Sequence, residues 1–479
     1  MPMLLRCITL LALALPAAAQ ATTGSAATTP RPNFVVFFLE GTGAGWSSTS
    51  VAMDDRRPEA KAPAAMTPHL QRLADSGMRF SDFYVSAPRC TPARASLLTG
   101  MSAAKLGMTY VNEGGAERRG AGRGGRGAEA ADAPAAVQKL IPPACRTELP
   151  AETTTVAELV RDAGYQTAHF GKWHVGRARP GAHGFDVDDG ANTNRGPGGN
   201  DKPNPEEGLA VTDRGIAFVR EQATARRPFY LQLSHYGGGS EDESRPETRQ
   251  ALAAELRGLR GKTAWQAAIL RDLDDQIGRV LAALDEAKLT ATTYVFVVFD
   301  HGAAGRDANA PLQGGKGSVL EGGLRVPFLV RGPGVAAAVC SHVRASTADV
   351  LPTVAELAGI TQWPAAVEGG SLAGVLHGRG VGRVARPREE LVVHFPHYDL
   401  GSPPASAIYL DDHKLVRRYE DGSLLLFDIG RDPEERHDLA AAEPARVADL
   451  VRRLDAYLKA IDAAMPRPNP QYGKDPRDR

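Results

Sequence analysis

Two runs without a single charged residue, Phe34–Leu39 and Tyr294–Phe299, constrain this chain more than anything else in it. A strand with one wet face alternates polar and apolar residues. These runs do not alternate, so each is expected to lie buried on both faces, as in a parallel sheet. Gln166–Phe170, Pro228–Leu233 and Val326–Val330 read as further strands. Between them fall helical patterns. Thr67–Gly77 has Pro68 in its first turn and Gly77 as its stop, and Cys90–Gly100 reads as a loop running into a helix. Thr155–Ala163 and Val211–Gln222 follow. In Trp265–Ala287, Ile269, Leu273, Ile277, Val280 and Leu284 recur at three-to-four spacing, which marks an amphipathic helix. Strands alternating with helices predict an α/β fold with a large, mostly parallel sheet sandwiched by helices.

From about Arg386 the texture changes. Leu391–His394, Ala407–Leu410, Lys414–Arg418 and Leu424–Asp428 are short strand-like runs, and Pro444–Ile461 is a last amphipathic helix. This predicts a smaller C-terminal antiparallel sheet plus helix over 386–479. The larger α/β domain takes 31–385. Residues 113–136, rich in Gly, Arg and Ala without periodicity, are expected to be a flexible insertion.

The N-terminus reads as an export signal over 1–20, followed by a linker over 21–30. Arg6 gives a positive start, Ile8–Leu15 is an apolar stretch, and Ala17–Ala19 supplies small residues for cleavage. The apolar stretch is shorter than the about 20 residues a membrane span needs. An exported protein, periplasmic or secreted, with no membrane partner is expected. The 56 basic and 56 acidic residues cancel, so neither nucleic acid nor an anionic membrane is indicated. Of 4 Cys, Cys7 leaves with the signal, and Cys90, Cys145 and Cys340 remain. An odd number leaves at least one thiol unpaired or chemically special, and pairing of Cys145 with Cys340 stays open.

In sheets of this kind functional groups gather at the carboxyl ends of strands. Glu40, His235 and Asp300 each sit just past a strand. Cys90-Thr91-Pro92-Ala93-Arg94 leads a helix, whose N-terminus favours anionic groups, and Arg94 adds positive charge to the same turn. Taken alone, such a Cys is more often a small buried side chain. Asp300-His301, a carboxylate at a strand end followed by an imidazole, suits a metal site, although an Asp capping a turn is common. Lys172 and His174 lie in Gly171-Lys172-Trp173-His174, and Lys316 in the Gly-rich run Gly314-Gly315-Lys316-Gly317. Either segment by itself reads equally well as a surface loop.

Together these four segments resemble the sulfatase family, in particular its arylsulfatase-A-like, formylglycine-dependent members within the alkaline phosphatase superfamily. Cys90 to Arg94, followed by Thr99-Gly100, is similar to the family's first signature, and Gly164 to Gly176 to its second. The resemblance implies that a formylglycine-generating maturation enzyme oxidises Cys90 during export. One hydroxyl of the hydrated aldehyde then attacks sulfur, and the other expels sulfate. It implies that Arg94 steadies this group, that Lys172, His174 and Lys316 hold sulfate or pass protons, and that Ca2+ is bound by Glu40, Cys90, Asp300 and His301. Glu40-Gly41 stands where the family carries two adjacent Asp, so one carboxylate is lost and a weakened calcium site is expected. The His that the family places after Ser234-His235-Tyr236 is missing unless His235 takes its part; a structural His at a strand end is the plain alternative. The expected activity is release of sulfate from an aryl or carbohydrate sulfate ester. Two other readings stay open: a phosphate or phosphonate ester hydrolase on the same fold, and a non-catalytic binder of sulfated glycans.

Overall fold

The computed structural model describes residues 31–41, 45–63, 66–111, 138–193, 200–201, 204–205, 208–237, 243–256, 261–305 and 307–473. The export signal, the linker and the 113–136 insertion lie outside these residues.

The main sheet has eight strands. In spatial order they are Val339–Ser341, Met78–Phe80, Phe328–Arg331, Thr293–Phe299, Asn33–Leu39, Phe229–Ser234, Gln166–Gly171 and Val187–Asp188. Only Phe328–Arg331 runs against the others. Asn33–Leu39 and Thr293–Phe299 are adjacent, in register and buried at every residue. Their unbroken apolar character follows from helices packing on both faces of the sheet. Among the described residues no helix is long and apolar enough to cross a membrane.

The helix expected after Cys90 begins at Cys90 itself and runs to Thr99, with no loop segment. All ten of its residues are buried, so it has no polar face to announce it. At the helix Val156–Asp162 the Thr155 hydroxyl accepts from the Glu158 N–H while Glu158 reaches back to the Thr155 N–H. This reciprocal cap starts the helix that leads into the strand delivering Lys172.

Leu391–Phe395, Ala405–Leu410, His413–Arg418 and Leu424–Asp428 form an antiparallel sheet in that order, joined by the helix Pro444–Ala460. Alternation along these strands serves two cores. Val392, Ile408, Leu415 and Leu426 pack with Leu450, Leu454 and Tyr457 of the helix. Val393, Ala407, Tyr409, Val416 and Phe427 join the core of the larger sheet. Lys414, on the second face and fully buried, meets Glu321 Oε1 at 3.0 Å and Glu435 Oε1 at 2.7 Å. The Tyr84 and Tyr409 hydroxyls also donate to Glu321, at 2.9 and 3.0 Å. Buried charges persist only when paired in this way.

Candidate active site

Register builds the site. Phe38 pairs with Val298 and Leu39 with Phe299, and the Asp300 N–H donates to the Leu39 carbonyl at 3.0 Å, one step past the ladder. Alternation then places Glu40 and Asp300 side by side on the face that carries Phe38. The Arg94 guanidinium lies over the Phe38 ring, 5.0 Å from its centroid, and bonds Asp300 Oδ2 at 2.9 Å and the Lys172 carbonyl at 2.8 Å. Gly171, at φ 97°, turns the chain out of its strand, and the Lys172 N–H donates to the Ser234 carbonyl at 2.7 Å. Lys172 Nζ reaches Glu40 Oε2, and Lys316 Nζ lies 3.2 Å from Glu40 Oε1. The Lys316 loop is pinned at both ends: Lys316 N–H to the Ala303 carbonyl at 3.1 Å, Gly317 N–H to the Pro88 carbonyl at 3.0 Å.

Ligand atoms of Glu40, Cys90, Asp300 and His301 lie within 4.8 Å of one another, and all four residues are buried. His301 Nδ1–H donates to the Gly302 carbonyl at 3.0 Å. In the neutral ring Nε2 then carries the lone pair. It faces Glu40 Oε1 at 3.0 Å, Asp300 Oδ1 at 3.3 Å and Cys90 Sγ at 3.3 Å. Acceptors crowded on one point need a proton or a cation between them. A backbone carbonyl behind the imidazole is the usual support of a metal-binding His. The donor set therefore fits a divalent cation, with Sγ standing where a formylglycine hydroxyl would be. It offers two carboxylates and one imidazole, fewer oxygens than calcium prefers.

The second carboxylate of the family pattern has no room. A Cβ on Gly41 would lie 1.8 Å from the His301 carbonyl oxygen, and the Gly41 N–H donates to Asp300 Oδ1 at 2.9 Å. Gly41→Asp is expected to push His301 aside and weaken divalent-metal binding, not restore it, at about 1–3 kcal/mol in stability. Calorimetric metal titration checks this, and tighter binding by the variant would count against the packing argument.

The charges are tightly coupled. Burial works against Glu40, yet Lys172, Lys316 and His301 hold its carboxyl well below the usual range. Burial and Glu40 oppose ionisation of Cys90, but Lys172, Lys316 and His301 bring its thiol well below the ordinary value. His301 is lifted to about 9, burial notwithstanding, chiefly by Asp300. His174 moves the other way: burial, then Lys172 and Arg94, push it far down, so its imidazole is neutral. It sits at φ 56°, held by Thr91 Oγ1 donating to its carbonyl at 2.8 Å and by its own N–H to Asn192 O at 2.9 Å. Among the described residues neither of its buried ring nitrogens has a partner. Strain of this kind clusters at functional sites.

His235 is not brought to the cluster. It stacks on Phe37, 6.3 Å between centroids, and its Nε2 meets Thr212 Oγ1 at 2.9 Å. Phe37 points to the sheet face opposite Phe38, and burial alone pushes His235 down to about 3. The geometry gives it the role of a buried strand-end residue. Cys145 and Cys340 are both free thiols, so the pairing left open does not form. Sequence reasoning passed over Arg89, directly before Cys90. Its guanidinium Nη2 lies 2.6 Å from Asp399 Oδ1 and its carbon 5.4 Å from the Tyr110 ring centroid. Asp399 comes from the C-terminal part, where nothing in the sequence marks it.

The sulfatase family model matches residues 32–360, and a model of the N-sulphoglucosamine sulphohydrolase C-terminal region matches 315–464. The N-acetylgalactosamine-6-sulfatase of Mus musculus is 29% identical over 366 residues, covering 69% of this chain and 63% of its own length. The chain thus spans just under two thirds of that relative. Arylsulfatase A of Homo sapiens is 28% identical over 473 residues, covering 84% of this chain and 85% of its own. Among solved structures, Ps i-CgsB bound to k-i-k-neocarrahexaose superimposes with a TM-score of 0.71 at 20% identity, covering 94% of this chain and 96% of its own. A protein solved with its substrate D-glucosamine-2-N,6-O-disulfate gives 0.65 at 18%, covering 90% and 98%. These two show a shared fold. With the family model spanning well over half of the sequence, the chain belongs to the sulfatase family.

Proposed function

We propose that this protein is exported and hydrolyses a sulfate ester of a carbohydrate or aryl alcohol, with Cys90 matured to formylglycine and one divalent cation held by Glu40, Asp300, His301 and the matured side chain. The observation that supports this best is the meeting of Cys90 Sγ with two carboxylates, an imidazole and the Lys172 and Lys316 cations in one buried place. When bound, the cation withdraws charge from sulfate, and the matured Cys90 supplies one hydroxyl for attack and one for release. Lys172 and Lys316, now on Glu40, are within reach of sulfate oxygens beside the nucleophile. Arg94 holds Asp300 in the orientation a metal ligand needs. His174, neutral and with neither ring nitrogen engaged among the described residues, donates an N–H hydrogen bond to the leaving oxygen. The glycan-bound structural neighbours support a sulfated sugar as the substrate class.

Gly41 adds no carboxylate where the family pattern carries an acidic residue, and one negative charge fewer near the substrate favours a phosphate or phosphonate ester as a second reading. Paired rates on the sulfate and phosphate esters of one phenol separate them. Protein co-produced with a maturation enzyme is expected to turn over the sulfate ester faster and to lose that activity on chelation. Faster phosphate release would transfer the assignment to the second reading.

A further inference from the structure

Val339–Ser341 is an edge strand of the main sheet, bonded on one side to Met78–Phe80. Cys340 lies in it and His342 directly follows, so the two-residue repeat directs both side chains to one face. Asp55, from the segment between the first strand and the first helix, meets them there. Ligand atoms of Asp55, Cys340 and His342 all lie within 4.8 Å of one another. Cys340 is half-buried, while the His342 and Asp55 side chains are 38% and 52% exposed.

The surroundings orient the imidazole. Ser81 Oγ has two acceptors for its proton, Asp82 Oδ2 at 2.5 Å and the Ser341 carbonyl at 3.3 Å, and His342 Nδ1 lies 2.7 Å from the same Ser81 oxygen. Nδ1 is therefore the donor to Ser81, and in the neutral ring the Nε2 lone pair faces Asp55 Oδ1 at 3.0 Å. Two acceptors at that distance need a proton or a metal ion between them. A carboxylate relayed through a hydroxyl to the back of the ring is the outer-shell support that metal-binding His residues use. The third donor is sulfur. Cys340 is unpaired, and its Sγ is 3.4 Å from the Met53 carbonyl.

We propose that Asp55, Cys340 and His342 form a second metal site, separate from the one at Cys90, that takes Zn2+ with a solvent molecule as fourth ligand. Sulfur, imidazole and carboxylate together select a borderline-soft ion over calcium or magnesium. Bonds of about 2.0–2.3 Å put tetrahedral ligand atoms about 3–4 Å apart, so the exposed Asp55 side chain closes the set with a small movement. On binding, the Cys340 thiol gives its proton to solvent and the thiolate takes the metal; nothing is oxidised or reduced. The bound thiolate is then shielded from alkylation and oxidation.

The test uses the full chain and reads Cys340 in its own peptide by mass, apart from Cys90 and Cys145. Stoichiometric Zn2+ is expected to slow alkylation of Cys340 about tenfold or more, with recovery on chelation and no protection in His342→Ala. Loading with Co2+ is expected to give a near-ultraviolet thiolate-to-metal band in Cys90→Ala, where the first site has no thiol, and none in the double variant Cys90→Ala/Cys340→Ser. Equal alkylation with and without Zn2+ would reduce the cluster to an ordinary His342–Asp55 ion pair and overturn the proposal. So would a cobalt band that survives in Cys90→Ala/Cys340→Ser.

Discussion

Cys90→Ala is expected to lower kcat/KM on a sulfate ester about ten-thousandfold or more, the scale seen when a covalent nucleophile is removed from an otherwise intact site. The side chain is small and 3% exposed, and it starts a helix buried throughout, so the variant should fold. Its Sγ lies 3.6 Å from Glu40 Oε2 and 3.3 Å from His301 Nε2, inside the proposed metal cluster. Cys90→Ser sharpens the result. A single hydroxyl can attack sulfur but has no second hydroxyl to expel sulfate. Slow release of about one equivalent of alcohol per chain, followed by arrest, is expected. Rapid-quench product counting with a stable aryl sulfate reads both variants. Steady turnover by Cys90→Ala would remove Cys90 from the chemistry altogether.

Arg94→Met is expected to cost about 3–5 kcal/mol of stability, the range for breaking a buried ion pair by deleting one partner. Arg94 and Asp300 are 1% and 0% exposed, and they touch at 2.9 Å. Methionine fills much of the volume over Phe38 but strands Asp300 Oδ2 and the Lys172 carbonyl without the donor Arg94 supplies. Arg94→Lys keeps the charge and loses the planar fork that spans the two acceptors, so an intermediate loss is expected. Urea unfolding followed by near-ultraviolet circular dichroism measures each. If the methionine variant matches the parent, the Arg94–Asp300 pair is not what holds this corner together. Adding Asp300→Asn to Arg94→Met is expected to recover part of the loss, because no bare charge then remains.

The site was legible in the sequence wherever chemistry and strand geometry coincide. Glu40 and Asp300 end apolar runs that lie in register, so marking the run ends marked the cluster. Cys90, Lys172 and Lys316 arrived through motif resemblance, and the fold brings each to Glu40. His235 also ends a strand, but an all-apolar run does not show which face its last residue takes; Phe37 and Thr212 decide that. The same blindness hid Cys90–Thr99 as a complete helix, since a helix buried all round has no period to read. Met78–Phe80 and Val339–Ser341 are three residues each, too short for any pattern, yet they carry one edge of the sheet. The Arg89–Asp399 contact joins residues 310 apart, which no local signal anticipates.

The ionic knot of Glu321, Lys414 and Glu435 bears on how such proteins diversify. Glu321 opens the short helix right after the Lys316 loop, its N–H donates to Glu435 Oε2 at 2.8 Å, and Lys414 bridges both acids from the C-terminal sheet. A tail borrowed from a relative that lacked Lys414 would leave Glu321 without its lysine beneath the loop that presents Lys316. Exchange of the C-terminal sheet is thereby expected to cost stability unless Lys414 and Glu435 come matched to Glu321.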